Sequence, residues 1–108
     1  MSRSPLPAVT PTSRLTKPIH WFRGQATHWD SLGAGIYVAT NPDLHIRMGS
    51  VIQVCDAHAQ GCIAARVVTT CACLGPNSGR IVDLSDDLFI RFAALSRGVV
   101  QVVLEVVG

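Results

Sequence analysis

No stretch of this sequence is long and apolar enough to cross a membrane as a helix. The N-terminus also lacks the apolar core of a secretory signal. The segment is therefore expected to be mature or truncated, or not to be exported by that route. A clustered basic face is missing too. From Gly24 onward five Arg stand against six Asp and one Glu, which argues against a duplex-binding surface, so no nucleic-acid partner is expected. Arg3, Arg14, Lys17 and Arg23 precede the first acid, Asp30, and read as a solvated basic tail. No internal repeat is visible. No paired Cys-x-x-Cys knuckle occurs, so a zinc site built from the cysteines with His58 is the weaker reading, and neither a metal nor a cofactor is expected.

What remains is enough for one compact domain with one core. Nearly half the residues are apolar, and valine is heavily used; its branched side chain is stiff at χ1 and packs well on a pleat. Residues 1–20 are rich in Ser, Thr and Pro and read as a flexible arm or linker, leaving 21–108 as the folded domain.

Short apolar runs then alternate with turn residues. Gln25–Trp29, Gly35–Ala39, Val51–Cys55, Ile63–Thr70, Arg80–Asp83 and Val99–Val107 are the expected strands, separated by Gly33, Asn41-Pro42, Gly49, Gly61 and Gly75-Pro76-Asn77. The last strand is apolar on both faces. One face can fill a barrel interior while the other needs a cover. The expected cover is a helix from Asp86 to Ser96, with Ser85 as N-cap, Asp86 and Asp87 at the positive end of its dipole, and Gly98 as its stop.

Four cysteines in so short a chain point to an oxidising compartment. Cys55 and Cys62 flank a hairpin-like turn and are expected to face each other. Cys71 and Cys73 are one residue apart, so a bridge between them is expected to be strained, and a partner in another loop is favoured. Buried thiols remain the alternative, and a Cys71–His28 nucleophile pair has no specific support.

Three segments, in order, resemble the double-psi β-barrel domains of the rare lipoprotein A and expansin families. Gly24-Gln25-Ala26-Thr27-His28-Trp29-Asp30 resembles their opening Gly-x-Ala-(Ser/Thr)-x-(Tyr/Trp). Leu44 through Val54, with Gly49 before an alternating strand, looks like their Leu-x-x-Gly-(Thr/Ser)-x-Val-x-Val. Arg80-Ile81-Val82-Asp83-Leu84-Ser85 is similar to their Arg-(Ile/Val)-(Ile/Val)-Asp-Leu-Ser ending, and a helix, Gly98 and a Val-rich strand follow it. The resemblance covers about Gly24 to Val107. It implies a mostly β, six-stranded double-psi barrel with one short helix near the C-terminus. The implied partner is a cell-wall polysaccharide, peptidoglycan or a cellulose-like glucan, and the implied setting is extracellular or the cell envelope.

Family members that cut peptidoglycan carry Asp-Arg-Gly-Pro after the fourth strand. Here the stretch is Thr70-Cys71-Ala72-Cys73-Leu74-Gly75-Pro76, which keeps the Gly-Pro and lacks the Asp. The family's central-loop His falls at about Asn41. What is kept fits better the pattern of the expansins and of the small inverting endoglucanases that share their barrel.

In that pattern Asp83 is the candidate acid. Partly desolvated among Ile81, Val82 and Leu84, it would donate a proton to a leaving oxygen; otherwise it accepts backbone N–H groups or caps the Ser85 turn. Asp30 is the candidate opposing base, since inverting hydrolysis sets two carboxyls about 6.5–9.5 Å apart; otherwise it belongs to an ordinary turn. Thr27 and Trp29, on one face by strand alternation, are candidate sugar contacts together with Asn41. The competing reading for Thr27 and Trp29 is plain barrel packing. The expected function is polysaccharide binding, with cleavage left open. The alternative is a non-catalytic structural module of a larger envelope or phage assembly.

Overall fold

The computed structural model describes residues 19–73 and 79–107. The Ser/Thr/Pro-rich arm up to Pro18 and the Gly75-Pro76-Asn77 turn lie outside them. Six strands close into a barrel: β1 (Ile19–His28), β2 (Tyr37–Thr40), β3 (Val51–Asp56), β4 (Cys62–Thr70), β5 (Arg80–Leu84) and β6 (Val99–Val107), in the spatial order β1-β5-β2-β4-β3-β6. Two pairs distant in sequence, β1 with β5 and β2 with β4, run parallel. β2 and β5 join them antiparallel. This interlocked pairing is the double-psi barrel that the three sequence segments imply.

Alternation dictates what fills the interior. Ile52 and Val54 of β3, Ala65 and Val67 of β4, Val82 and Leu84 of β5, and Val102 and Leu104 of β6 are fully or almost fully buried and form one core. β1 begins earlier than expected, at Ile19, because the long β6 pairs with it residue by residue from Val99 to Val107. Gly24 is required where β1 meets β5: a Cβ there would approach Ile81 Cγ2 to 2.8 Å and the Gly79 carbonyl to 2.9 Å. The pairing register shifts at the same place, from Gln25 opposite Arg80 to Ala26 opposite Val82, which makes Ile81 a bulge.

The expected helix is shorter than Asp86 to Ser96. α1 spans Asp86–Phe89, and a separate single-turn 3₁₀ segment spans Leu95–Arg97. After Phe89 the ladder becomes mixed: the N–H groups of Arg91 and Phe92 bond three residues back, to the carbonyls of Leu88 and Phe89, that of Ala93 bonds four back to Phe89, and Ala94 is extended. Ser85 occupies the N-cap position without capping through its side chain. Its hydroxyl donates to the Gly35 carbonyl (2.7 Å) and accepts from Tyr37 N–H (3.2 Å), so it joins the end of β5 to the entry of β2.

Nor does the helix cover the outer face of β6. Leu88 and Phe89 enter the core cluster instead, where β1 and β5 end. Val103 on the outer face of β6 lies in one cross-strand row with Arg23 and Cys55. The Arg23 side chain reaches the Ala57 carbonyl (2.9 Å), and Cys55 is disulfide-bonded to Cys62. These groups keep Val103 and Cys55 buried.

Cys55 and Cys62 face each other in register, as expected, with Cα atoms 3.9 Å apart. The turn they close is capped by Asp56, whose carboxylate accepts from the N–H groups of His58, Gln60 and Gly61. The Gln60 N–H first, then those of His58 and Gly61, hold the Asp56 carboxyl below its ordinary value of 3.8. A lowered folded pKa means that the carboxylate stabilises the fold above the unfolded pKa and loses that contribution as pH falls through the folded value. Asp56→Asn, which gives up one acceptor oxygen, is therefore expected to melt below the wild type at neutral pH. The gap should close in acid below about pH 4, as read by thermal unfolding against pH. A gap independent of pH would show that the charge on Asp56 does not support the turn.

Candidate functional site

At the end of the parallel β1–β5 pair the pleat aims two side chains the same way. Thr27 and Asp83 are opposite each other in register, and the Thr27 hydroxyl donates to Asp83 Oδ1. Asp83 is only 8% exposed. Its second partner is Arg80, whose Nη2 lies 3.3 Å from the same oxygen. In a regular strand, residues three apart point to opposite faces; the bulge at Ile81 puts Arg80 and Asp83 on one side.

These residues line an open groove of about 610 Å³ together with His28, Trp29, Thr70 and Ala72. Trp29 is extended just past β1, its N–H bonded to the Leu84 carbonyl (2.9 Å), and the residue, 42% exposed, lines the groove. His28 faces Asp86 through Nδ1 (3.0 Å) and the Leu95 carbonyl through Nε2 (3.2 Å), with its ring edge-on to Phe89 at 4.9 Å. It ties the groove to α1 and to the 3₁₀ turn behind it.

The expectation for Cys71 and Cys73 is corrected: they are bonded to each other, with Cα atoms 5.1 Å apart. Alternate residues of a strand are further apart than a disulfide favours, but here the chain has left β4 and bends at exposed Ala72. Both cysteines are buried against Ala39 and Leu32. Their sulfurs and an Asp83 carboxylate oxygen all lie within 4.8 Å of one another, so the bridge backs the carboxylate. With all four cysteines in disulfides, the zinc reading and the Cys71–His28 nucleophile pair have no thiolate to use.

The sequence-derived site residues divide into two groups. Thr27, Trp29 and Asp83 converge on the groove. Asp30 does not line it; exposed, it opens a 3₁₀ turn over Asp30–Leu32. Asn41 is buried outside it and serves the protein's own backbone. Its Nδ2 donates to the carbonyls of Cys73 (2.9 Å) and Arg80 (3.0 Å), and its Oδ1 accepts from Asp43 N–H (2.9 Å). Asn41 thus fixes the backbone of two groove-lining segments from behind. Arg80, Thr70 and the Cys71–Cys73 bridge were not expected at the site. The signal for Arg80 is present in the Arg80-to-Asp83 spacing, but the bulge that makes it meaningful is not.

This arrangement presents a buried, oriented carboxylate, a guanidinium and a hydroxyl in one groove with the partly exposed Trp29. It can accept hydrogen bonds from hydroxyls while offering an aromatic face for stacking.

Two solved structures of the expansin of Clavibacter michiganensis share this fold. One is an aspartate-to-asparagine variant in complex with cellohexaose (21% identity, TM-score 0.61), the other the apo protein (19% identity, TM-score 0.62). Each match covers 82% of this chain and 50% of the other, so the chain spans about half the length of either. No family model and no curated protein matches the chain.

Proposed function

We infer that this barrel binds a cell-wall polysaccharide, a cellulose-like glucan ahead of peptidoglycan, along the groove that ends at Asp83. One observation carries the reading: Asp83, held by Thr27 and Arg80, opens into the same groove as the partly exposed Trp29. A sugar ring has an apolar C–H face suited to the indole and equatorial hydroxyls suited to the carboxylate. The fold neighbour solved with cellohexaose supports a glucan as the ligand class. Two disulfides suit an extracellular or envelope setting, and no helix among the described residues is long and apolar enough to cross a membrane.

The reading is binding rather than inverting hydrolysis, because Asp30, the candidate base, does not line the groove with Asp83. The test is co-sedimentation with insoluble cellulose and with peptidoglycan, followed by assay of the supernatant for soluble fragments. Retention on cellulose without fragment release is expected. Trp29→Ala should weaken retention about tenfold or more, the scale of a lost stacking partner. Unchanged retention by the variant would move the ligand off this groove.

One observation favours a second reading, a structural module. The outer face of β1 and β6 carries Ile19, Trp21 and Val107 at 45%, 64% and 61% exposure around Glu105, which lies opposite Trp21, and exposed apolar groups of this kind are ones another domain covers. Retention on neither polymer would select that reading.

A further inference from the structure

We propose that the barrel has a second ligand site, for a carboxylate-bearing sugar such as a uronic acid, in the cleft between the β3–β4 turn and the 91–97 segment. The inference does not depend on the Asp83 groove. The cleft has a volume of about 600 Å³, within the range of small-molecule pockets. Its floor is apolar, made by Ile63, Phe92 and Val100, which pack against the core. Arg91 and Arg97 stand at its edge, both exposed.

The charge balance of the cleft differs from that of the domain. The ion pairs among the described residues are His28–Asp86 and Arg80–Asp83, and neither Arg91 nor Arg97 donates a side-chain hydrogen bond within the described structure. Arg66 and Arg80, by contrast, are engaged by the Gly49 carbonyl and by Asp83. Among the described residues the one acid lining the cleft is Asp56, whose carboxylate is turned to three backbone N–H groups of its own turn. His58 lines the cleft as well. Two open guanidinium forks on a domain that is slightly acidic overall therefore converge on one cavity, where they outnumber its single carboxylate.

The walls are also set in advance. The Cys55–Cys62 bridge and the Asp56 cap fix the turn on one side, and Arg23 holds it from beneath through the Ala57 carbonyl. On the other side, His28 Nε2 meets the Leu95 carbonyl and pins the 3₁₀ turn that carries Arg97. A preformed cleft spares the ligand much of the ordering cost of binding. A planar carboxylate takes the bidentate fork of an arginine, and a pyranose ring offers the apolar face that Phe92 and Ile63 require.

The experiment is an NMR titration of the intact chain with trigalacturonate, with cellotriose and inorganic phosphate as parallel probes. Trigalacturonate is expected to shift the backbone signals of Arg91, Phe92, Arg97 and Gln101. Arg91→Gln and Arg97→Gln should each weaken it about tenfold, the scale of one charge-assisted hydrogen bond, and high salt should weaken it further. Cellotriose should leave those signals in place, and Trp29→Ala should bind trigalacturonate as the wild type does, which separates this site from the groove. Absence of shifts in the cleft, or binding by both arginine variants as tight as the wild type's, would overturn the proposal. Phosphate binding as tightly as trigalacturonate would overturn the sugar assignment by showing a general anion site.

Discussion

Phe89→Ala is expected to cost about 3–5 kcal/mol of stability, the usual penalty for removing a phenyl ring from a close-packed core. A domain of this size has roughly 5–15 kcal/mol in total, so the melting temperature should fall by about 15 °C or more. The size of the effect comes from position. Phe89 is fully buried and, with Leu88, is brought into the core by a helix of a single turn. So short a helix has little stability of its own, and it holds its place through the apolar groups it inserts. The same ring supports His28 edge-on, and His28 in turn meets Asp86 and the Leu95 carbonyl. The cavity should therefore loosen the groove as well as the core, so glucan retention should drop at temperatures where the variant is still folded. Phe89→Leu, which fills most of the volume, should recover most of both. Thermal unfolding by circular dichroism together with co-sedimentation reads the two effects. A melting shift below about 4 °C, the scale of a single kcal/mol, would show that Phe89 is not the stopper of this barrel end.

Much of this architecture is legible from residue order because strand alternation is local. The even-numbered positions Val102 and Leu104, and Ile52 and Val54, are buried as a period of two requires. The order strand, Asp83, Ser85 and helix likewise announces the junction after β5. What escapes the sequence is set by contacts between segments. β1 extends back to Ile19 because β6 offers it a partner as far as Val107, although His20-Trp21-Phe22-Arg23 is not a strong strand pattern on its own. The 86–96 stretch looks continuous as a helix because Leu88, Phe92 and Leu95 fall on one helical face. The chain breaks it after Phe89, so Leu95 ends up exposed.

The site shows the same division. Thr27, Trp29 and Asp83 are found by pattern because each sits on a regular strand or directly beyond one. Arg80 is missed because alternation counts it onto the wrong face, and the bulge at Ile81 reverses that count only once β1 presses Gly24 against it. The Cys71–Cys73 bridge is missed because its geometry depends on a bend after β4. Asn41 is placed at the site by its position in the motif, yet both amide hydrogens are taken by the carbonyls of Cys73 and Arg80. It shapes the groove without facing it.

Asp83→Ala is expected to reduce glucan retention by about tenfold to a hundredfold, the loss of one or two hydrogen bonds to a charged acceptor. It also removes the acceptor shared by the Thr27 hydroxyl and Arg80 Nη2. That shared loss should lower stability by about 1–3 kcal/mol; the ion-pair part is small because Arg80 is 37% exposed. A variant that both weakens binding and disturbs its neighbours is ambiguous, and Asp83→Asn resolves it. Asparagine keeps the shape and one acceptor oxygen for Thr27 and Arg80, so most of the stability should return. If the carboxylate serves as a hydrogen-bond acceptor for sugar hydroxyls, affinity should recover to within about tenfold of the wild type, the margin left by exchanging a charged acceptor for a neutral one. Equal retention by wild type, alanine and asparagine variants would remove Asp83 from the ligand site. The supernatant supplies the remaining discrimination. If wild type released soluble fragments and Asp83→Asn bound the polymer but released none, the residue would be a proton donor and the binding-only reading would fail. Absence of fragments from every variant, with retention falling from aspartate to asparagine to alanine, is the result expected of a groove that holds a chain without cutting it.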